Sequence, residues 1–162
     1  MKTDPNLQNY ESEYQNFDWS DWHSRFSDIN RLNYAYEVTD YQIEKGNGDR
    51  PAIVSQRTDG SVASVTFKEL ADRTNVLAKN LKERGLRSGD RFALYASRSI
   101  DYAVVLLAAI KCGAIAVPLF EAFGPDAIED RLNDCGCSWI YVSDKLIKNV
   151  RFEKIASLQN AV

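Results

Sequence analysis

Two short stretches carry side chains able to bind a ligand. The first is Leu119-Phe120-Glu121-Ala122-Phe123, where a carboxylate stands among aromatic rings directly after the apolar run Ala114 to Leu119. In open α/β sheets ligands sit beyond the carboxyl ends of the strands, so a strand exit of this composition is a candidate ligand-facing edge. A surface glutamate on a tight connection explains the same residues. The second stretch holds Lys145, Lys148, Arg151 and Lys154. Lys148 and Arg151 are spaced to share one face of a helix, where an ammonium and a guanidinium could hold a phosphate together. On spacing alone a solvated basic helix face is the simpler account.

Other chemistries find little support. A serine or cysteine nucleophile needs a base, and the single histidine, His23, sits in the aromatic N-terminal arm and reads as a chance residue there. Cys112, Cys135 and Cys137 are odd in number, and Cys-x-Cys alone does not make a metal site, so they read as buried thiols in a reducing cytoplasm. Asp126, Glu129, Asp130 and Asp134 cluster on one expected helix and read as a solvated acidic face. Gly46-Asn47-Gly48-Asp49 follows a helix and precedes a strand, the wrong order for cradling phosphate at a helix N-terminus. Ala96-Ser97-Arg98-Ser99 is a poor phosphate-binding turn, which disfavours a flavodoxin-like nucleotide-binding protein. The net charge of −3 and the scattered basic residues give no concentrated basic face for nucleic acid. No apolar run reaches the length of a membrane span, and the polar N-terminus lacks the apolar core of a signal peptide.

The elements that must position these residues follow from periodicity. With 162 residues the chain suits one domain. An acidic, aromatic-rich arm over 1–31, with Tyr10, Tyr14, Phe17, Trp19, Trp22 and Phe26, reads as one or two short helices. Leu32 to Lys45 reads as one amphipathic helix. Ala52–Ser55 and Val62–Thr66 read as a hairpin about the Thr58-Asp59-Gly60 turn. Thr66 and Glu69 form a capping box that opens a helix ended by Gly85. Arg91–Ala96 reads as a strand, Ile100–Cys112 as a helix stopped by Gly113, and Ala114–Leu119 as a strand left by Pro118. Pro125–Cys135 reads as a helix, Ser138–Val142 as a strand, and the stretch from Asp144 through about Ile155 as a last helix. Helices alternating with short apolar strands predict an α/β fold with a mainly parallel sheet and helices on both faces, spanning 32–162.

The order of several segments resembles one family. Asn33-Tyr34-Ala35-Tyr36-Glu37-Val38-Thr39-Asp40, Val65 to Leu70, Arg98-Ser99 with Tyr102, and Ala109 to Leu119 resemble successive motifs of the AMP-forming acyl-CoA synthetases. Phe120-Glu121-Ala122-Phe123-Gly124-Pro125-Asp126-Ala127 with Arg131-Leu132 is similar to the acetyl-CoA synthetase-like, short-chain branch. The resemblance implies the N-terminal subdomain of the adenylate-forming fold. It also implies an enzyme that uses ATP and magnesium to activate a carboxylic acid as an acyl-adenylate, then transfers the acyl group to CoA.

What carries over to this chain is limited. The family's Ser/Thr/Gly-rich phosphate loop, its adenine and ribose motifs and its C-terminal lysine have no counterpart in these residues. The resemblance therefore implies a truncated chain, inactive alone, whose partner is the remainder of the same polypeptide; an apolar face left exposed would favour self-association. It implies CoA nucleotide contacts at Phe120, Glu121 and Ala122 and at Lys148 and Arg151, with Glu121-Ala122 standing where some relatives have paired glycines. A non-catalytic binding or docking module on the same fold is the alternative.

Overall fold

The structure, a computed structural model, describes residues 8–26 and 32–162. Expectations that fall on 1–7 and 27–31, the arm's boundary at residue 31 among them, lie outside the described residues. The chain divides into two compact units, Met1–Leu32 and Asn33–Val162.

In the first unit the aromatic spacing produces two short helices, α1 (Tyr10–Asn16) and α2 (Trp19–Arg25). Asp18 caps α2 by accepting from the Ser20 amide at 2.8 Å. Aromatic side chains one turn apart meet: Tyr10 stacks on Tyr14 at 6.0 Å and Trp22 on Phe26 at 5.8 Å between centroids.

The second unit is built on a parallel sheet of order β4-β3-β5-β6: β3 (Arg91–Tyr95), β4 (Ile115–Pro118), β5 (Trp139–Val142) and β6 (Asn160–Ala161). A separate antiparallel hairpin joins β1 (Pro51–Gln56) to β2 (Val62–Thr66). Because successive side chains on a strand face opposite ways, β3 serves two cores. Phe92 and Leu94 pack with α5 (Phe67–Glu83), α6 (Ile100–Lys111) and Trp139 on one face. Ala93 and Tyr95 pack with α7 (Pro125–Asp134), Ile140 and Val142 on the other. Helices therefore cover both faces of a parallel sheet, as the alternating pattern predicts.

Local signals explain most boundaries. The Thr66–Glu69 capping box is complete, with Glu69 N–H on Thr66 Oγ1 at 3.2 Å and Thr66 N–H on Glu69 Oε2 at 2.8 Å. Gly113 ends α6 at φ +80, and a Cβ there would meet Ser88 Oγ at 2.7 Å. Pro125 opens α7 at a position whose N–H would have no helical partner.

Three expectations need correction. The helix expected over Leu32–Lys45 is two, α3 (Tyr34–Val38) and α4 (Asp40–Glu44), broken at Thr39 with φ −126 and ψ −85. The buried Thr39 hydroxyl bonds back to Ala35 O at 2.5 Å and to Asp40 Oδ2 at 2.8 Å, drawing the chain out of helical geometry. The helix expected from Asp144 to Ile155 is two short 3-10 turns, Ile147–Asn149 and Phe152–Lys154, with extended Val150 between them. Val150 and Ile155 are both buried in the α7-side core. Five residues apart on an α-helix they would lie about 140° apart around the axis and could not both reach that core. Finally, β6 is a strand the pattern did not predict; two residues are too few to show alternation.

A polar network ties α4 to α5 and α6. Lys111 Nζ lies 2.5 Å from Asp40 Oδ2 and 2.7 Å from Asn75 Oδ1, and Asn75 Nδ2 donates to Asp40 Oδ1 at 2.8 Å. Burial pushes the Asp40 carboxyl up, but hydrogen bonds from Lys111, Asn75 and Thr39 outweigh it and hold its pKa below the usual carboxylate range.

Candidate functional site

The carboxyl edge of the sheet is shaped by two connections. After β4, Leu119 is buried and its N–H bonds to Leu94 O at 2.9 Å, so the backbone stays pinned to β3 until the core ends. Phe120, Glu121 and Ala122 then emerge as exposed residues, and Phe123 N–H closes a turn on Phe120 O at 3.0 Å. Phe120 is 58% exposed, so it stands open to a stacking partner. It meets Phe123 edge-on at 5.8 Å, and the Arg131 guanidinium covers Phe123 at 4.2 Å. After β5, the 3-10 turn Ile147–Asn149 carries Lys148, and the residue opening the next turn is Arg151.

The two cations are not equivalent. Lys148 is exposed and has no hydrogen bond or ion pair among the described residues. Arg151 is half-buried and turned onto the first turns of α7, where it pairs with Asp126 and, Nη2 to Oε2, with Glu129 at 2.9 Å. The contact to Glu129 lacks hydrogen-bond geometry, and Arg151 Nε is enclosed without a hydrogen-bond partner. The shared helix face read from their spacing does not form, since Val150 is extended between them. Part of the acidic face read as solvated is instead engaged: Glu129 is only 25% exposed and faces Arg151.

Tyr95, which the sequence reading left within the core of β3, joins the two connections. Its ring is wholly buried, while its hydroxyl donates to Phe123 O at 2.8 Å, with Glu121 O at 3.3 Å, and accepts from Asn149 Nδ2 at 3.0 Å. The signal was present in the sequence as an aromatic residue with a polar tip at the end of a buried strand.

An open parallel sheet wound on both faces, with exposed polar and aromatic connections at its carboxyl edge, defines a doubly wound α/β domain. More particularly, the chain belongs to the AMP-binding enzyme family, whose model matches residues 40–162. It is 34% identical over 163 residues to the acetyl-coenzyme A synthetase of Bacillus subtilis (strain 168), covering 99% of this chain and 28% of that protein. It is 32% identical over 124 residues to the acetyl-coenzyme A synthetase of Paraburkholderia phymatum, covering 76% of this chain and 19% of that one. The chain thus spans less than a third of the length of these relatives. Among solved structures, its fold matches a Brucella canis acyl-CoA synthetase with TM-score 0.76 at 23% identity, over 94% of this chain and 28% of that one. It also matches a long-chain-fatty-acid-CoA ligase from Archaeoglobus fulgidus with TM-score 0.70 at 23% identity, over 80% of this chain and 27% of that one. Among the described residues no helix is long and apolar enough to cross a membrane.

Proposed function

We propose that this chain is part of an AMP-forming acetyl- or short-chain acyl-CoA synthetase, and that Phe120, Glu121, Ala122, Lys148 and Arg151 supply one wall of its site for the CoA nucleotide. In such a reaction the carboxylate attacks the α-phosphorus of ATP and pyrophosphate leaves; the CoA thiol then attacks the acyl carbon and AMP leaves. The observation that carries the reading is the pairing of an exposed phenylalanine ring with an uncommitted lysine on two connections joined through Tyr95.

The chemistry suits a phosphorylated adenosine. A purine stacked on an aromatic side chain gains about 1–3 kcal/mol, and Phe120 offers such a face. Lys148 offers a point charge to phosphate. Arg151 can add a bidentate contact only by exchanging Asp126 and Glu129 for the phosphate oxygens. Glu121 repels phosphate, which directs the anionic part of the ligand toward Lys148 rather than along the β4 connection. Magnesium would offset phosphate charge in the ATP-dependent step. Among the described residues no group of His, Cys, Asp or Glu could hold a metal, and no part of that step is assigned to this chain's side chains. The length of the relatives, of which this chain spans 28% in the Bacillus case, supports the further proposal that catalysis requires sequence additional to these residues.

The test is acetate-dependent ATP–pyrophosphate exchange and acetyl-CoA formation by the natural polypeptide carrying this sequence. Exchange is expected, and its absence with acetate and every other short acid overturns the reading. In the same polypeptide Lys148→Ala is expected to raise the KM for CoA about tenfold while leaving exchange within about twofold. Equal loss in both half-reactions would make Lys148 a folding residue instead.

A further inference from the structure

We infer that Tyr95 is a positioning residue for CoA binding: its hydroxyl sets the separation of the two connections that carry the nucleotide contacts, an inference that rests on the reading of the site given above. Tyr95 ends the central strand and its ring is completely buried, so a phenylalanine would fill the same space. The hydroxyl is therefore not there for packing, and burying it costs free energy unless it is bonded. It is fully bonded, and each bond leads to the proposed site. It donates its one proton to the Phe123 carbonyl, with the Glu121 carbonyl farther off at 3.3 Å, and accepts from Asn149, next to Lys148, on the other side.

Among the described residues no other hydrogen bond joins the 120–123 connection to the 147–149 turn. The neighbouring cross-link, Arg151 to Asp126 and Glu129, runs to α7 and would be given up if Arg151 turned to a phosphate. One hydroxyl on a rigid strand thus keeps the Phe120 ring and the Lys148 ammonium in register. Side chains that bind together gain when their spacing is fixed before the ligand arrives.

The experiment uses the complete natural polypeptide and separates the half-reactions. Tyr95→Phe is expected to raise the KM for CoA about tenfold, with pyrophosphate exchange and kcat at saturating CoA within about twofold of the parent. Asn149→Leu, at a half-buried position outside the core, should move the CoA KM in the same direction. The double variant should be no worse than Tyr95→Phe alone, as expected for two ends of one bond. An unchanged CoA KM in both single variants, beside a raised one in Lys148→Ala, overturns the positioning role and leaves the nucleotide site standing. An unchanged KM in Lys148→Ala as well removes the nucleotide site and this inference with it. Parallel loss of exchange and thioester formation reduces Tyr95 to a folding role and also overturns it. If Tyr95→Phe does not fold, Asn149→Leu decides.

Discussion

Cys137 shows what burial does to a single reactive group. Its thiol lies wholly inside the α7-side core, its single proton shared between the carbonyls of Trp139 at 3.0 Å and Arg91 at 3.2 Å. Burial pushes its pKa up to about 11, because the thiolate would lose its hydration. Cys112, also buried, is shifted in the same direction for the same reason. Since the thiolate is the nucleophile, iodoacetamide at about pH 8 should leave Cys137 and the likewise buried Cys112 unmodified in the folded protein and label both in denaturant. Labelling of Cys137 at the denatured rate would show that this core is open. The reading as buried thiols holds for Cys112 and Cys137, as expected of a residue type most often buried, whereas Cys135 is only partly buried. The role of Tyr95 was less legible. Its place in a strand followed from the apolar run, but the partners of its hydroxyl come from connections 26 and 54 residues away.

At the scale of elements, Asp40 and Lys111 fasten α4 to α6 across 71 residues of sequence. Lys111 is only 9% exposed, so loss of the Asp40 charge would leave an enclosed ammonium short of its counter-ion. Asp40→Asn should cost about 2 kcal/mol at neutral pH, read as a lowered Tm. The sign of the pH dependence follows from the lowered pKa of Asp40 in the folded state. The stabilisation is present above the unfolded carboxylate range and is lost as pH falls through the folded value. The Tm difference between parent and Asp40→Asn should therefore narrow below about pH 4. A gap constant from neutral to acid pH would argue against this ion pair. Legibility at this scale divides by range. The hairpin, the capping box, the Gly113 stop and the proline-started α7 all rest on contacts within a few residues, and each was readable. The break at Thr39 rests on a hydroxyl bonding within one turn, which apolar spacing does not record, and the two 3-10 turns depend on distant residues, since Val150 and Ile155 must both reach the α7-side core.

At the scale of the whole molecule, the three tryptophans divide by environment. Trp19 and Trp22 are 64% and 44% exposed, whereas Trp139 is 2% exposed, stacked on Phe92 at 6.2 Å and covered by the Arg84 guanidinium. Acrylamide should quench one fraction of the fluorescence readily and leave a blue-shifted fraction that belongs to Trp139. Replacing Trp19 and Trp22 by Phe in this chain should remove the quenchable fraction alone. Uniform quenching of all three would contradict the sheet's two-sided burial. The fold class was legible because alternation of helix and strand is a global pattern. The strand order was not, since β3 pairs with both β4 and β5 and nothing local ranks those pairings.

That central strand also limits how the gene can vary. Phe92 and Leu94 serve one core while Ala93 and Tyr95 serve the other. Adding or removing one residue at the start of β3 would turn each of these side chains to the opposite face. Phe92 and Leu94 would then be thrust against α7, Ala93 and Tyr95 would stand in their place under α5 and α6, and the Tyr95 hydroxyl would point away from the two connections it joins. Point substitutions at the edge can be absorbed one at a time, whereas a single-codon insertion or deletion here would strike both cores and the candidate site in one event.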